Sequence, residues 1–122
     1  MVIRRIDVVS VPVSDQVASR VFYSEVLGFE IIRDTPMGPD QRWVQLSPPG
    51  AGTSITLVTW FDRMPAGSLQ GMVLDTLDID ATRKALAEKG LRITEVQDAP
   101  WGRYATFSDP DGNGWVLKQA EG

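Results

Sequence analysis

The sequence contains neither cysteine nor histidine in its 122 residues. Without cysteine, the chain cannot form a disulfide, a thiolate zinc site, an iron–sulfur cluster or a thiol nucleophile. Without histidine, it has no imidazole metal ligand, no Ser–His dyad and no imidazole general base. Any chemistry of this chain therefore relies on carboxylates, amides, hydroxyls, lysine, arginine and aromatic rings.

Basic residues are fewer than acidic ones. The 12 Lys and Arg against 16 Asp and Glu give a net charge of −4. Nucleic-acid binding requires a basic face that neutralises phosphates, so a nucleic-acid partner is not expected. The acidic balance suits a cationic or neutral small-molecule partner, and it equally suits simple solubility. The length and the 43% of hydrophobic residues predict one globular domain.

Long apolar runs are also missing. Residues 43–61 carry no charge, but Pro48, Pro49, Gly50 and Gly52 interrupt them. A membrane span needs about 20 mostly apolar residues. The start of the chain is not followed by an apolar signal region. We therefore expect a cytoplasmic protein without a membrane partner.

The chain contains an internal repeat of the order βαβββ. In the first half, hydrophobic patterning predicts a strand, a helix between a capping Asp15 and a terminating Gly28, and three more strands. In the second half, Asp78 and Gly90 bound the helix in the same way. The predicted strands are residues 6–13, 29–33, 42–47, 54–60, 72–77, 91–96, 104–108 and 114–119, and a tight turn is predicted at 109–113.

The repeat predicts an α+β fold of two tandem modules. Asp15 and Asp78 are 63 residues apart, and Gly28 and Gly90 are 62 apart. We expect one domain with modules at 1–60 and 71–122 and a linker at 61–70. Each module alone is too small to bury both faces of a sheet, so the modules should pack side by side with the helices on one face.

Two sets of motifs resemble the vicinal oxygen chelate superfamily, which includes glyoxalase I, extradiol dioxygenases, fosfomycin-resistance enzymes and bleomycin-resistance proteins. Val13-Ser14-Asp15, Phe22-Tyr23 and Val26-Leu27-Gly28-Phe29 resemble its opening module. Residues 100–103 and 109–115, which read PWGR and DPDGNGW, resemble its closing module. The resemblance implies a curved mixed sheet that encloses a cup, helices on the outer face and a homodimer. It leaves open whether the modules pair side by side or by domain swapping.

The resemblance also implies metal ligands, usually His, Glu or Gln, at four strand positions. These positions correspond to Val8, Thr56, Gly71 and Val116. Valine and glycine have no coordinating side chain, and a neutral threonine hydroxyl is a poor ligand. A shift of one residue would replace Val8 by Asp7 without supplying the others. The sequence therefore predicts neither a metal site nor a cofactor.

Strand alternation predicts which side chains line the cup. Aromatic rings would stack on a planar ligand, and polar groups would orient it. A carboxylate among aromatic rings favours a cation. The predicted ligand-binding residues are Trp43, Gln45, Thr56, Trp60, Asp75, Trp101, Tyr104 and Thr106. On the opposite face, the predicted core includes Val44, Leu46, Ala105, Phe107 and Trp115.

Two of these assignments have alternatives. Trp43 and Trp60 lie either in the cup or in a dimer interface, where tryptophan is enriched. Asp75 is expected to be a buried acid in an apolar strand. It is either functional or paired with an arginine such as Arg42 or Arg103.

Three functions remain as hypotheses. The first is a metal-independent small-molecule binding protein of the glyoxalase/bleomycin-resistance type, which sequesters an antibiotic or another planar ligand, including a cationic one. The second is a glyoxalase- or dioxygenase-like lyase or oxidoreductase with an atypical or cofactor-free site, which uses Asp75 as a general base or Tyr104 as an acid. The third is an accessory subunit whose aromatic residues are covered by a partner protein. The residues at the metal positions favour the first hypothesis.

Overall fold

The computed structural model of the protein describes residues 2–121. The chain forms two compact units that divide after Ala66. Each unit contains a four-stranded mixed sheet and follows the order βαβββ, which confirms the α+β class and the tandem modules. Within the described residues, no helix combines the length and apolar character needed to cross a membrane.

The elements of the first unit are β1 (Val8–Pro12), α1 (Gln16–Val21), β2 (Glu30–Pro36), β3 (Arg42–Ser47) and β4 (Ser54–Val58). The sheet of this unit has the strand order β1-β4-β3-β2. Strand β1 runs parallel to β4, and the other pairs are antiparallel.

The first helix begins at its predicted cap. The Asp15 carboxylate accepts hydrogen bonds from the backbone N–H groups of Val17 and Ala18, at 2.9 and 3.1 Å. After α1 the chain continues as a π-helical turn, Phe22–Val26, which the sequence pattern does not predict. Gly28 ends this segment with φ +76°, a left-handed conformation that glycine adopts without strain.

The helical segment covers one face of the first sheet. Val11, Val44, Leu46 and Leu57 are buried on this face, and α1 packs against β3 and β4. The Gln16 side-chain amide donates to the backbone carbonyls of Arg42 and Leu57, at 2.7 and 2.8 Å. These two bonds fix the helix over the sheet, because they tie the first residue of α1 to the backbone of both β3 and β4.

The elements of the second unit are β5 (Met72–Thr76), α2 (Ile79–Glu88), β6 (Gln97–Ala99), β7 (Gly102–Ser108) and β8 (Gly114–Gln119). The sheet of this unit has the order β5-β8-β7-β6, with β5 parallel to β8. Its helix begins at the predicted cap, where the Asp78 carboxylate accepts a hydrogen bond from the backbone N–H of Ala81.

The core of the second unit confirms the predicted faces. Ala105, Phe107, Trp115 and Leu117 are buried, and α2 packs against β7 and β8. The rings of Phe107 and Trp115 lie nearly parallel, with centroids 6.4 Å apart. The predicted turn before β8 is also present, since Asp109 accepts from the backbone N–H groups of Asp111 and Asn113 at 2.9 Å.

The predicted strand at 91–96 is wrong. Only Ile93 forms a bridge there, to Phe107, and the edge strand is β6, Gln97–Ala99. The Arg83 side chain donates to the carbonyls of Ile93 and Thr94, at 3.2 and 2.7 Å, and so competes for the acceptors of a regular ladder. Elsewhere the strands differ by a few residues: β4 ends at Val58 rather than at residue 60, and β2 extends to Pro36.

Candidate functional site

The first sheet has a polar face on the side opposite its buried core. We use this name for the side chains of Ser10, Trp43, Gln45, Ser54 and Thr56, which alternate with the core residues of β1, β3 and β4. The register places Thr56 between Ser10 on one side and Gln45 on the other. Three of the eight predicted ligand-binding residues, Trp43, Gln45 and Thr56, therefore lie on this face.

A chain of hydrogen bonds fixes the polar face. The Trp43 indole donates from Nε1 to Oε1 of Gln45 at 2.9 Å. The Gln45 amide then donates from Nε2 to the Ser54 hydroxyl at 2.7 Å, and this hydroxyl donates to the carbonyl of Asp7 at 3.1 Å. The half-buried indole is thus held in one orientation by partners that are themselves hydrogen-bonded.

The Thr56 hydroxyl is the exception on this face. Thr56 is 1% exposed, and its Oγ1 has no hydrogen-bond partner within residues 2–121. Buried polar groups are nearly always paired, so an unpaired hydroxyl next to a fixed amide is unusual. It can both donate and accept a hydrogen bond.

Trp60 lies outside the regular strand on which it was predicted. It follows β4, which ends at Val58, and is half-buried. Its ring centroid is 6.2 Å from that of the exposed Phe61. Strand alternation therefore does not determine the direction of the Trp60 ring.

The second sheet also has a polar face, which comprises Asp75, Tyr104, Thr106, Val116 and Lys118. The register aligns Asp75 with Lys118 and Lys118 with Tyr104, and it aligns Val116 with Thr106. Three further predicted residues, Asp75, Tyr104 and Thr106, thus share one face, as strand alternation predicts. Asp75 and Tyr104, the two weak candidates for catalysis, are separated by the strand that carries Lys118.

An aromatic pair lies at the edge of this face. The ring centroids of Trp101 and Tyr104 are 4.8 Å apart with an angle of 31° between the planes. The Tyr104 hydroxyl donates to Oε1 of Gln97 at 3.1 Å, which fixes its ring. Trp101 is 54% exposed, so its outer side is accessible for stacking.

The expectation that Asp75 is a buried acid paired with an arginine is wrong. Asp75 is exposed, and it forms no ion pair or hydrogen bond within residues 2–121. The two arginines have other partners: Arg42 pairs with Asp34 at 2.7 Å and Arg103 with Asp80 at 2.9 Å. The hydrogen bonds from Arg103 lower the pKa of Asp80 below its ordinary value.

A recess of about 620 Å³ opens within the second unit. Thr106 and Val116 of the polar face line it, together with residues before β5 and after α2. The polar residues that line it are Gln70, Arg92, Thr94, Thr106, Ser108 and Asp109. Arg92 and Thr94 were not among the predicted site residues, because no face was assigned to residues 91–96. Their alternation with the apolar Leu91 and Ile93 is the sequence signal that could have placed both on one side.

The residues at the four implied metal positions do not fit a metal ion. In the first sheet, β1 and β4 carry Val8 and Thr56, and the register pairs them with Ser54 and Ser10 rather than with a carboxylate. In the second unit, Gly71 precedes β5 and Val116 lies on β8. Aliphatic side chains and a threonine hydroxyl offer no anionic or imidazole donor. Within the described residues, no three acidic side chains form a group that could hold a metal ion.

Comparison with known proteins gives a family match over most of the chain. Residues 5–117 match the family model of the Glyoxalase/Bleomycin resistance protein/Dioxygenase superfamily. The uncharacterized protein YetH of Bacillus subtilis (strain 168) is 36% identical over 121 residues, which cover 96% of this chain and 99% of YetH.

Solved structures agree with this match. TnmS3, an antibiotic binding protein from Streptomyces sp. CB03234, is 47% identical, with a TM-score of 0.94 and 99% of each chain covered. A member of the same superfamily from Sphaerobacter thermophilus DSM 20745 is 36% identical, with a TM-score of 0.88 and coverage of 97% of this chain and 98% of that one.

Proposed function

The chain belongs to the glyoxalase/bleomycin resistance protein/dioxygenase superfamily, and we propose that it is a metal-independent protein that binds and sequesters a planar small molecule, such as an antibiotic. In the first unit, the predicted ligand-binding residues are Trp43, Gln45 and Thr56 on the polar face of the sheet, and Trp60 after it. In the second unit, they are Asp75, Trp101, Tyr104 and Thr106.

One observation carries this proposal. On the first sheet, a half-buried indole is fixed by Gln45, and the neighbouring Thr56 hydroxyl is buried without a partner among the described residues. A ring with a fixed orientation loses little entropy when a planar ligand stacks on it. A buried hydroxyl that gains a hydrogen bond from a ligand recovers the free energy that its burial costs.

Two further observations support binding rather than metal-dependent catalysis. The four implied metal positions carry Val8, Thr56, Gly71 and Val116, which are not suited to a divalent ion. TnmS3, which is similar over nearly the whole chain, is described as an antibiotic binding protein.

Isothermal titration calorimetry with four probes tests the proposal. Metal-free bleomycin represents an antibiotic. Anthracene-9-carboxylate, 9-anthracenemethanol and 9-aminoacridine share a tricyclic ring system but are anionic, neutral and cationic. We expect at least one probe to bind saturably with the same affinity in excess EDTA and in excess Mn²⁺. The same probe should raise the melting temperature, since it binds the native state.

Variants at Trp43 locate the site. Trp43→Ala should weaken binding of the successful probe about tenfold, because a stacked aromatic ring contributes on the order of 1 kcal/mol or more. Val17→Ala is the control, since Val17 is an exposed apolar residue of α1, which covers the opposite face of the same sheet. Binding of no probe, or binding only with Mn²⁺, would contradict the proposed function. An unchanged affinity in Trp43→Ala would contradict the assigned site.

We also propose that the protein is a homodimer. Each four-stranded sheet has two edge strands, β1 and β2 in the first and β5 and β6 in the second. Unpaired edges are commonly covered by another strand or another subunit. One chain has a mass of 13.4 kDa, and sedimentation equilibrium should give twice this mass. A monomer at micromolar concentration would contradict the proposed dimer.

A further inference from the structure

We infer that the recess of the second unit is a subsite for an anionic ligand, so that it prefers a planar molecule with an ionised carboxylate or a similarly acidic oxygen. This inference rests on the proposed function and adds the charge of the ligand to it. The net charge of the chain, −4, would by itself favour a cationic ligand. The expected preference for an anion therefore comes from the residues of this recess.

Arg92 is the basic residue that lines the recess. It is exposed, and it forms no ion pair or hydrogen bond with any other residue between 2 and 121. Within residues 2–121, five of the nine arginines pair with a carboxylate: Arg5, Arg20, Arg42, Arg83 and Arg103. A guanidinium has five N–H donors in a planar fork that matches a carboxylate.

Thr94 places a second donor beside Arg92. Its Oγ1 accepts a hydrogen bond from the backbone N–H of Thr106 at 2.9 Å. The Thr94 hydroxyl keeps its own proton as a donor, because accepting a hydrogen bond uses only a lone pair. This hydroxyl donates to none of the described residues, so an anionic oxygen in the recess can accept from it.

The acidic residue of the recess does not cancel this positive charge. Asp109 is 5% exposed, and its two oxygens accept from the backbone N–H groups of Asp111 and Asn113 and from the Asn113 side-chain amide, at 2.8 to 2.9 Å. These donors stabilise its carboxylate within the turn. Among the described residues that line the recess, Arg92 therefore provides the accessible charge.

The size of the recess fits a drug-sized ring system. Ligand pockets typically enclose about 300–1,000 Å³, and this recess has about 620 Å³. Leu91 and Val116 supply apolar wall, while Gln70, Thr94 and Thr106 supply polar groups. An aromatic acid would match this combination of apolar walls and one cation.

Calorimetry with the tricyclic probes at pH 7 tests the inference on the full-length protein. Wild-type protein should bind anthracene-9-carboxylate at least about tenfold more tightly than the neutral 9-anthracenemethanol, and more tightly than 9-aminoacridine. Added salt should reduce this preference, because it screens the ion pair at the exposed Arg92. Arg92→Gln should lower the affinity for the anion about tenfold and leave the affinity for the neutral probe unchanged. Arg92→Lys should retain part of the preference.

Lys84→Gln is the matched control, since it removes the same charge from an exposed position of α2 in the same unit. It should change neither affinity. If Arg92→Gln weakens the neutral and anionic probes equally, or if the wild-type protein does not prefer the anion, the inference is wrong while the proposed function stands. If no tricyclic probe binds the wild-type protein, both the proposed function and this inference fail.

Discussion

The Trp43 indole and the Gln45 side-chain amide, two residues apart on β3, are joined by a hydrogen bond of 2.9 Å on the polar face of the first sheet. Side chains at i and i+2 of a strand project from the same face, so these two side chains can meet. The hydrogen bond then fixes the orientation of both groups. Gln45 is the central member, because it accepts from Trp43 and donates to Ser54. Loss of the Gln45 side chain therefore leaves Trp43 without its acceptor and Ser54 without its donor.

A double-mutant cycle should measure this contact. We expect Gln45→Ala to lower the free energy of unfolding by about 1–2 kcal/mol, since it leaves the half-buried Trp43 indole N–H without an acceptor and removes the hydrogen bond to Ser54. In combination with Trp43→Phe, the loss should be smaller than the sum of the single losses, with a coupling free energy of about 0.5–1.5 kcal/mol. Urea denaturation of the four proteins gives the coupling directly.

Gln41 provides the control for this cycle. It lies at the same two-residue separation on the other side of Trp43, and its exposed side chain makes no hydrogen bond within residues 2–121. Gln41→Ala combined with Trp43→Phe should therefore be additive within about 0.5 kcal/mol. Additivity in the Gln45 cycle as well would show that the bond contributes nothing measurable to stability.

Gly67 is required where it approaches the turn before β8. Its φ is +83°, and a Cβ built on it would lie 2.1 Å from the backbone carbonyl oxygen of Asp111. Backbone cannot move aside as a flexible side chain can. Gly67→Ala should therefore lower the free energy of unfolding by about 2–4 kcal/mol, which combines a left-handed backbone penalty with overpacking.

Gly52→Ala is the matched substitution at a permissive site. Gly52 does not require a left-handed φ, and a Cβ there would meet nothing within 4 Å. Thermal and urea unfolding should place this variant within about 0.5 kcal/mol of the wild-type protein. A Gly67→Ala protein as stable as Gly52→Ala would contradict the close approach to Asp111.

Local sequence signals predicted much of the fold. The observed bounds of β3 and β8 equal the predicted ones, because apolar and polar residues alternate there between strong turn formers. Asp15 and Asp78 cap their helices as predicted, since the capping carboxylate acts only on the next turn of backbone. The segment at 91–96 escaped prediction because the Arg83 side chain, about ten residues away, binds its carbonyls.

The candidate site was predicted less completely than the fold, because its contacts join residues that are far apart in sequence. Alternation along each strand placed Gln45 of β3 and Thr56 of β4 on the face opposite the core, because it depends only on local geometry. The partner of each arginine depends on which acid lies near it in space. Arg103 binds Asp80, 23 positions away in sequence, and Asp75 therefore lacks the expected partner. No periodicity in a single sequence encodes such a choice.

Asp34 on β2 is bound by two arginines in the first unit. The Arg42 guanidinium donates from Nε to Oδ1 at 2.8 Å, and Arg20 donates to Oδ2. Its side chain is only 14% exposed, whereas those of Arg20 and Arg42 are 33% and 42% exposed. Burial alone would raise the pKa of Asp34, but the hydrogen bonds from Arg42 and Arg20, together with their charges, lower it below its ordinary value.

This lowered pKa makes the stability contribution of Asp34 depend on pH. Because the folded pKa lies below the unfolded value of about 3.9, the contribution is complete well above pH 4 and is lost as the pH falls through the folded pKa. Asp34→Asn should therefore lower the free energy of unfolding at pH 7 by about 1–2 kcal/mol, a figure reduced for the solvent exposure of both arginines. The difference from the wild-type protein should shrink once the pH falls below about 4.

Urea denaturation across this pH range measures the difference in the free energy of unfolding, and Asp62→Asn, at an exposed position of the same unit, should show no such dependence. A difference between wild type and Asp34→Asn that stays constant with pH would mean that the two arginines do not bind the ionised form of Asp34 preferentially.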